Sequence, residues 1–498
     1  MVRTVCPTIV PQTTNRKIMK PNNIPLHLKP DTKIFCRIDN LWTVAMDVEA
    51  LAISQASGRP NDSGGELFNF AQRIEVLMLG PGNLLKWVSA SGVMIQTFPT
   101  LTLRALRQKT VPVTIARDGM ISTFDPVHGI VRIPAKDAVG KIVPVIRQLP
   151  ECDSSIVDNV VLALFLGAFI SDGWINERQI GHTKANGIIR RGFLECWSRL
   201  RGASASFYEY SETHRAEDNG IGGESTKTHI SLKNEPEMKF GQWLQSECYH
   251  PDAKSRTDEE RSCLFKRLPP GFLSYSRRTR LALLAGLIDG DGSVSLNHSR
   301  RTAQVLISFA TSSPYLADDV QVLLLSLGIR SGISTTKPQA GRIQTHDAYT
   351  ISISTPDVHA LMNEIPLVTD YEGWNYLREN PPVKNDRDLV PIWPEIARHI
   401  RSRIKWTDES KAKRNSMAGL TGPKATTKLI SREGAAWYAD QVPVNDDTDA
   451  MKRWRAIVAN VQVGWDTIAE VIPGGCRKVY GVITDDSGPI AVSGGLIV

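Results

Sequence analysis

The sequence lacks any long uninterrupted apolar segment. Its longest apolar runs, at 160–170 and 281–288, fall short of the roughly 20 residues that a transmembrane helix requires. The first twenty residues are polar and have no apolar core of the kind a secretory signal needs. We therefore expect a protein that is not secreted, has no membrane partner and works inside the cell, in the cytoplasm or nucleoid of its host.

Cysteine is also scarce and follows no recognisable spacing. The chain has seven cysteines, an odd number, with no Cys-x-x-Cys pair and no Cys/His cluster at zinc spacing. This pattern indicates a reducing compartment and no structural metal. Apolar residues make up 41% and charged residues 22% of the chain, which excludes wholesale disorder and a fibrous protein.

No strong excess of either charge is present. The 59 basic and 52 acidic residues give a net charge of +7, which supports a polyanionic partner only mildly. The basic residues are concentrated between Arg398 and Arg432, in a stretch that also contains the sequence MAGLTGPKATTK. We interpret residues 396–454 as a basic linker or mobile arm that contacts DNA phosphates.

Two segments of the chain resemble each other. LFLGAFISDGW at 164–174 and LLAGLIDGDGS at 283–293 are apolar at nearly every position, contain one mid-run glycine and stop at Asp-Gly. A helix that is apolar on all sides is expected to be buried. Gly167 and Gly286 each cost about 1 kcal/mol within a helix, so we predict that they allow the two helices to approach each other closely.

The segments that follow each helix also match. Both halves have the pattern αββαββα, with two amphipathic strand pairs and two further helices. We therefore predict an α+β fold in which two pseudo-symmetric halves meet along their first helices. Asp172 and Asp291 would then lie side by side at the helix ends, with Gly173 and Gly292 as the C-caps. These residues are either ordinary turn-forming Asp-Gly pairs or carboxylates that hold a divalent metal.

The two decamers, together with FKRLPPGF at 265–272 between them, resemble the LAGLIDADG homing endonucleases of the two-repeat, intein-encoded type. The resemblance covers about 155–390. It implies that Asp172 and Asp291 are catalytic, metal-binding acids, with Gly173 and Gly292 in the same metal site, and that Lys266 is the basic residue beside the cleaved phosphate. Lys384, in PPVKND, is our candidate for a second catalytic lysine.

The same resemblance implies a Mg²⁺ cofactor, for which Mn²⁺ can substitute, and double-stranded DNA as the partner of a monomer that is an internal pseudo-dimer. Lys184 and Ser312 would occupy equivalent strand ends, where polar residues organise water. Strand residues that we expect to face the bases in the major groove are Asn176, Arg178, His182, Lys184, Arg190, Ser293, Ser295, Asn297, Arg300, Arg301 and Gln304. Our predicted DNA-binding basic residues are Lys184, Arg190, Arg300, Arg301, Arg401, Arg403, Lys411, Lys413 and Arg414.

The flanks of this region resemble the two parts of an all-β Hint domain, the fold of protein-splicing inteins. HLKPDTKIF at 27–35 is similar to an intein start, and residues 465–498 are similar to the closing strands. The splicing residues are not kept: His27 replaces the Cys or Ser nucleophile, and Arg117 replaces the catalytic His. A terminal His-Asn pair is also missing, since the sequence ends at Val498. Cys36 could replace the nucleophile, but it is more typical of a buried small residue.

The predicted fold is thus two αββαββα LAGLIDADG subdomains inserted in an all-β Hint-like domain. The predicted units are 1–26 as an N-terminal extension, 27–150 as the first Hint-like part, 151–272 and 273–395 as the endonuclease subdomains, 396–454 as the basic arm and 455–498 as the second Hint-like part.

From these features we predict a site-specific, Mg²⁺-dependent DNA endonuclease that makes double-strand breaks at a long asymmetric target and carries a splicing-defective Hint-like domain. Two alternatives stay open. The chain could be an intein whose main activity is protein splicing, or a LAGLIDADG-type DNA-binding protein or maturase that does not cleave.

Overall fold

A computed structural model describes most of the chain. The described residues are 27–29, 31–39, 42–57, 66–106, 112–150, 158–176, 179–184, 187–202, 207–214, 223–231, 235–251, 263–298, 303–338, 346–369, 371–381, 388–404, 406–407, 417, 419–486, 488–493 and 495–498. Helices and sheets are both present, and the α+β fold class is confirmed. No helix among these residues is long and apolar enough to span a bilayer.

The two flanks of the chain form one β-domain. Its elements are β1 (His27–Leu28), β2 (Lys33–Ile38), β3 (Trp42–Asp47), α1 (Val48–Gln55), β4 (Ala56–Ser57), β5 (Glu66–Leu79), β6 (Leu85–Ala105), β7 (Val113–Ala116), β8 (Met120–Asp125), β9 (Gly129–Pro134), β10 (Ile142–Ile146) and, from the far end of the chain, β21 (Val463–Thr484).

The strand order β10-β21-β1-β7-β6-β5-β2-β3, with β21 also paired to β6, joins both flanks in one sheet. The long β6 and β21 run antiparallel from the pair Ile468–Ala105 to the pair Thr484–Ala90. Strand β1 lies between one strand from each flank. His27 pairs with Gly481 of β21, and Leu28 pairs with Ile115 of β7. The central segment of the chain is therefore an insertion in a β-domain, as predicted from the sequence.

Two copies of one arrangement lie between the flanks. The first consists of α2 (Val160–Asp172), β11 (Gly173–Ile175), β12 (Gln179–Lys184), α3 (Gly187–Arg201), β13 (Phe207–His214), β14 (Gly223–Ser231) and α4 (Glu235–Cys248). The second consists of α5 (Arg277–Asp291), β15 (Gly292–Asn297), β16 (Gln304–Thr311), α6 (Pro314–Ser326), β17 (Ser331–Thr336), β18 (Ala348–Ile353) and α7 (Thr355–Leu361).

The repeat extends to the sheet topology. The strand orders are β11-β12-β14-β13 in the first half and β15-β16-β18-β17 in the second, so each strand has its counterpart. Both halves follow the predicted αββαββα pattern. One further helix, α8 (Glu372–Glu379), packs on the second half, where Gly373 lies against Val294 and Val305.

The segment after the second half is a folded unit rather than a linker. It contains β19 (Leu389–Ile392), α9 (Pro394–Arg403), β20 (Lys428–Ser431), α10 (Arg432–Asp440) and α11 (Asp449–Ala459). Trp454 is fully buried, and its indole nitrogen donates to the Pro391 carbonyl at 2.9 Å. The prediction of a basic arm over 396–454 is therefore wrong for the described residues, because apolar side chains at helical spacing form a core there.

Arg432, at the basic end of that segment, is a structural residue. Its guanidinium is buried, forms an ion pair with Asp388 at 3.0 Å and donates to the carbonyls of Ile457, Val458 and Val463. The predicted boundary at 455 also shifts. Residues 455–459 belong to α11, and the second part of the β-domain begins with β21 at Val463.

The oxidation state of one described cysteine differs from the expectation that all are reduced. Cys36, Cys196 and Cys248 are buried free thiols and Cys263 is an exposed one. Cys476, however, is disulfide-bonded, whereas the sequence indicated reduced cysteines throughout.

The prediction of close helix packing is confirmed. A Cβ atom at Gly286 would lie 2.6 Å from the Leu164 carbonyl oxygen and 2.8 Å from the Ala168 nitrogen, and one at Gly167 would lie 2.9 Å from the Leu287 nitrogen. All these neighbours are backbone atoms that cannot turn aside. Only glycine therefore fits where α2 and α5 cross, and both helices are buried over most of their length.

We predict that Gly286→Val lowers the stability of the protein by about 3 kcal/mol or more, because it overpacks a contact between two backbones. Thermal or urea unfolding measures the change. Gly422→Ala is the matched control, since nothing lies within 4 Å of a Cβ at that position. Equal unfolding midpoints for the Gly286 variant and wild type would contradict the packing account.

Candidate active site

The two first helices end side by side at acidic residues. Helix α2 begins at the N-cap Asn159, whose side chain accepts from the Leu162 amide, and α5 begins at Ser276, which accepts from the Thr279 amide. They end at Asp172 and Asp291. Because the helices cross at their glycines in the same direction, their C-terminal ends, and therefore both carboxylates, come to one place.

Glycine follows each acid for a steric reason. Gly173 and Gly292 are the C-caps, as predicted, but their backbones are extended, with φ of −88° and −92°. A Cβ would lie 2.5 Å from the Phe169 carbonyl at Gly173 and 2.5 Å from the Ile288 carbonyl at Gly292. The chain can therefore turn directly from helix into strand and keep the aspartate at the mouth of the site.

Two lysines compensate the charge of the acids. The Lys184 ammonium lies 2.9 Å from Asp172 Oδ2 and donates to the Gly290 carbonyl at 2.6 Å, which links the two halves. The Lys266 ammonium donates to the Ser171 carbonyl at 2.9 Å, beside Asp172. Each lysine therefore also binds a free carbonyl at a helix C-terminus, where positive charge is favourable.

Burial still outweighs the effect of the two lysines on the ionisation of the acids. Burial raises the pKa of Asp291 to about 6, with the Asp172 carboxylate adding to the increase and Lys266 and Lys184 opposing it. Burial also raises the pKa of Asp172, against the opposing effect of Lys184 and Lys266. Since the two carboxyl groups influence each other, they titrate as a pair.

Lys266 is buried and firmly held. It is 8% exposed, and burial lowers the pKa of its ammonium, while Asp291 and Asp172 raise it. Its carbonyl accepts from the Ser313 hydroxyl at 2.6 Å, and its backbone bridges to Tyr249. The predicted catalytic lysine and both predicted acids are thus brought together, whereas Lys384 lies outside the described residues.

The residues present fit a magnesium ion. In the described part of the chain no cluster of three or more His, Cys, Asp or Glu could hold a metal, so the protein would offer the carboxylates of Asp172 and Asp291. Mg²⁺ suits such a site, because it binds through one or two carboxylates and completes its shell with water and substrate phosphates. A cation at the two acids would oppose the effect of burial, which raises the pKa of both.

Two neighbours of the site are structural. Asp289 makes packing hydrogen bonds: it accepts from the amides of Val368 at 2.9 Å and Thr369 at 3.2 Å. His182 was expected to face bases but is fully buried and stacks on Phe193 at 4.3 Å. Burial lowers the pKa of His182 to about 3, assisted by Lys184 and Lys266, so its ring is neutral. That prediction is wrong because alternate residues of β12 face the core.

The register also corrects the predicted equivalence of Lys184 and Ser312. Gly173 pairs with His182, and Gly292 pairs with Phe309. Lys184, two residues after His182, therefore corresponds to Thr311. Lysine stands in one half and a hydroxyl in the other, so the pseudo-symmetry of the fold does not extend to the chemistry of the site.

The open face of the second sheet carries small polar side chains. Ser293, Ser295, Asn297 and Gln304 are exposed, as expected for base-facing residues. Across β15 and β16, Asn297 pairs with Gln304 and Ser293 pairs with Ser308, and the Ser293 and Ser308 hydroxyls lie 2.8 Å apart. Whether they contact DNA bases stays a prediction.

The open face of the first sheet has an aromatic row that we did not anticipate. Register places Trp174, Gly181, His229 and Tyr208 side by side across four strands. The Trp174 and His229 rings lie 5.2 Å apart, and His229 stacks on Tyr208 at 4.8 Å. Gly181 is required because a Cβ would overlap the Trp174 indole. Strand alternation in FYEYSE was the available signal, but only the pairing shows that the rings meet.

The other predicted DNA-binding residues are dispersed. Arg190 forms an ion pair with Glu209 at 2.7 Å. At the end of α9, Arg401 donates to Thr421 at 2.7 Å and Arg403 lies 3.7 Å from Asp446. DNA binding by these three stays a prediction. The predicted residues outside the described part of the chain are Arg178, Arg300, Arg301, Lys411, Lys413 and Arg414.

Comparison with known proteins confirms the resemblance on which the site was predicted. Residues 278–365, which include Asp291, match the profile of the LAGLIDADG-like domain. Among curated proteins, the chain is 32% identical over 150 residues to the ATP-dependent DNA helicase Hel308 of Thermococcus kodakarensis, covering 30% of this chain and 12% of the helicase. The chain spans 12 to 24% of the length of the curated helicases that it matches.

Two solved structures are similar to parts of the chain. The crystal structure of an intein from a hyperthermophile aligns with 24% of this chain and 72% of its own, at 13% identity and a TM-score of 0.22. That of I-DmoI in complex with DNA and Ca aligns with 45% of this chain and 100% of its own, at 13% identity and a TM-score of 0.28. Similarity at this level carries no argument about the site, which depends on the geometry described above.

We predict that Asp291→Asn stabilises the metal-free protein at pH 7.5 but not at pH 4. The folded protein binds the Asp291 proton more tightly than the unfolded chain, so stability falls as pH rises from about 4 to about 6. The neutral amide carries no charge at either pH and therefore avoids this loss. Urea unfolding in EDTA at both pH values measures it. A variant that is equally destabilised at both pH values would contradict the charge account.

Proposed function

We propose that the chain is a DNA endonuclease that uses Mg²⁺, or Mn²⁺ in its place, to make double-strand breaks at a long, asymmetric target. The observation that carries the proposal is the meeting of Asp172, Asp291, Lys184 and Lys266 at the ends of two buried helices. A structural role alone does not require this arrangement, because two acids at helix C-terminal ends are destabilising.

Each group has a chemical task in phosphodiester hydrolysis. When bound between the acids, Mg²⁺ would neutralise charge on the phosphate and lower the pKa of an attacking water. Asp172 and Asp291 would hold the cation. Lys266 would place fixed positive charge beside the scissile phosphate, where charge grows in the transition state. Lys184, which bridges Asp172 and Gly290, would fix the acids in the absence of DNA.

The two open sheet faces support an asymmetric target. The first half has the aromatic row Trp174, His229 and Tyr208, and the second has serine, asparagine and glutamine side chains. A single chain with two different faces would read different base sequences on either side of the cleavage site.

The β-domain is proposed to be a splicing-defective Hint-like domain. Position 27 lies on β1, which pairs with β7 at Leu28 and Ile115, and it carries histidine where a splicing nucleophile would be expected. Histidine has no thiol or hydroxyl to form an ester, and the guanidinium of Arg117 has only hydrogen-bond donors and cannot act as a base. Cys36 is no substitute, because it is fully buried and burial raises the pKa of its thiol to about 12.

We predict that the protein cuts a plasmid library of randomised sites in Mg²⁺ at discrete positions. Asp172→Asn and Asp291→Asn should each lower the cleavage rate by about 100-fold or more, because each removes charge stabilisation from the transition state. Sequencing of the cut ends measures both the site and the rate.

Asp289→Asn is the matched control, since Asp289 lies on the same helix but accepts hydrogen bonds from Val368, Thr369 and Tyr371, away from the two acids. It should cleave at a rate close to wild type. DNA binding without cleavage by the wild type would instead favour the non-cleaving alternative, and cleavage retained by both acid variants would reject the assigned site.

We predict that the chain placed between two reporter domains yields only the full-length fusion on a protein gel. The Cys36→Ala variant should give the same gel, since a buried protonated thiol is unreactive. Appearance of a ligated reporter pair would restore the alternative of a splicing intein.

A further inference from the structure

A lysine of the β-domain is buried against the second endonuclease half. Lys33, the first residue of β2, places its ammonium 3.0 Å from Asp318 Oδ2 and 2.7 Å from Asp319 Oδ1 on α6. The side chains of Lys33 and Asp319 are each only 10% exposed. The β-domain therefore supplies a buried positive charge to the endonuclease.

The same aspartate holds the loop that carries Lys266. Asp319 Oδ2 accepts from the Leu268 amide at 2.9 Å, and Leu268 is two residues beyond Lys266. At the start of α6, the Ser313 hydroxyl donates to the Lys266 carbonyl at 2.6 Å. Two hydrogen bonds from one helix thus fix the backbone on either side of Arg267, while the Lys266 ammonium reaches the Ser171 carbonyl beside Asp172.

Lys33 is the charge on which this arrangement depends. Asp47 pairs with Lys33 across β2 and β3, so three carboxylates, those of Asp47, Asp318 and Asp319, face one ammonium. Among the ion pairs of the described residues, Asp318 and Asp319 have no other cationic partner. Without Lys33, two adjacent buried carboxylates would repel each other, and Asp319 would turn toward water and release the Leu268 amide.

We propose that Lys33 is a positioning residue for Lys266, and that the β-domain is thereby a working part of the nuclease centre. The link runs from Lys33 through Asp319 and the Leu268 amide to the backbone of Lys266. This inference rests on the proposed endonuclease function for its catalytic consequence, but the mechanical link can be measured without DNA.

The test compares Lys33→Met with Lys33→Arg, which restores the charge. Lys86→Met is the matched control, because Lys86 pairs with Asp486 at 2.6 Å within the β-domain and both side chains are 41% exposed. In metal-free and DNA-free protein, acylation of each lysine by an amine-reactive ester is followed by mass spectrometry. Lys266 should react about tenfold faster in Lys33→Met, because local opening exposes it, and should react as in wild type in the other two variants.

Cleavage supplies the second measurement. Single-turnover cleavage in Mg²⁺ should fall about 10- to 100-fold in Lys33→Met, since a small displacement of a catalytic group costs up to about 100-fold. The Kd for target DNA should stay within twofold of wild type. A role of Lys33 in stability alone would leave the rate constant of the folded protein unchanged.

The outcomes separate this proposal from the proposed function. Unchanged acylation of Lys266 in folded Lys33→Met overturns the link, whether or not the wild type cuts DNA. Faster acylation with undiminished cleavage overturns the positioning role. Faster acylation in a protein whose wild type never cleaves overturns the endonuclease and leaves the mechanical link standing.

A second variant covers the case in which Lys33→Met does not fold. Lys33→Met combined with Asp318→Asn removes one of the uncompensated charges but still leaves Asp319 without its ion pair. It should show the same faster acylation of Lys266. Asp318→Asn alone keeps the link through Asp319 and should leave Lys266 as protected as in wild type.

Discussion

The contact between Gly167 and Gly286 determines where the other elements of the two inserted halves lie. Because a Cβ at either position would meet backbone atoms of the other helix, α2 and α5 can approach until their backbones touch. The two sheets are attached directly to the ends of these helices through Gly173 and Gly292. Their relative position, and that of the acids between them, is therefore set by one glycine crossing.

This crossing also creates the electrostatic problem that the lysines solve. It brings together two helix C-termini and two carboxylates, all of which are negative. Lys184 comes from a strand and Lys266 from the connection between the halves, so the compensation is not symmetric. Burial still raises the pKa of both acids, so placing them together costs free energy. Such a cost is typical of a functional site, because packing alone gives no reason to keep two acids there.

The sequence predicted those features that depend on local spacing. The repeated apolar helices, the αββαββα order and the position of Asp172, Asp291 and Lys266 follow from a period and a motif. The sequence did not predict the features that depend on contacts between segments far apart in the chain. His182 was assigned to the open face because the strand's inner face could not be identified, and the helical unit at 389–459 was hidden by its exposed basic residues. The aromatic row and the ion pair of Lys33 join segments that no local pattern connects.

If splicing chemistry is lost, as proposed, the β-domain is still needed by the fold. Phe35, Leu77, Leu79 and Leu85 belong to the same buried cluster as α2 and α5, so removing the domain would expose apolar surface of the inserted segment. Chemistry at position 27 depends on single side chains and is lost by single substitutions. Packing is distributed over many residues and cannot be lost in one step. A domain whose remaining task is to support its insertion would therefore keep its core and interface while its reactive residues change.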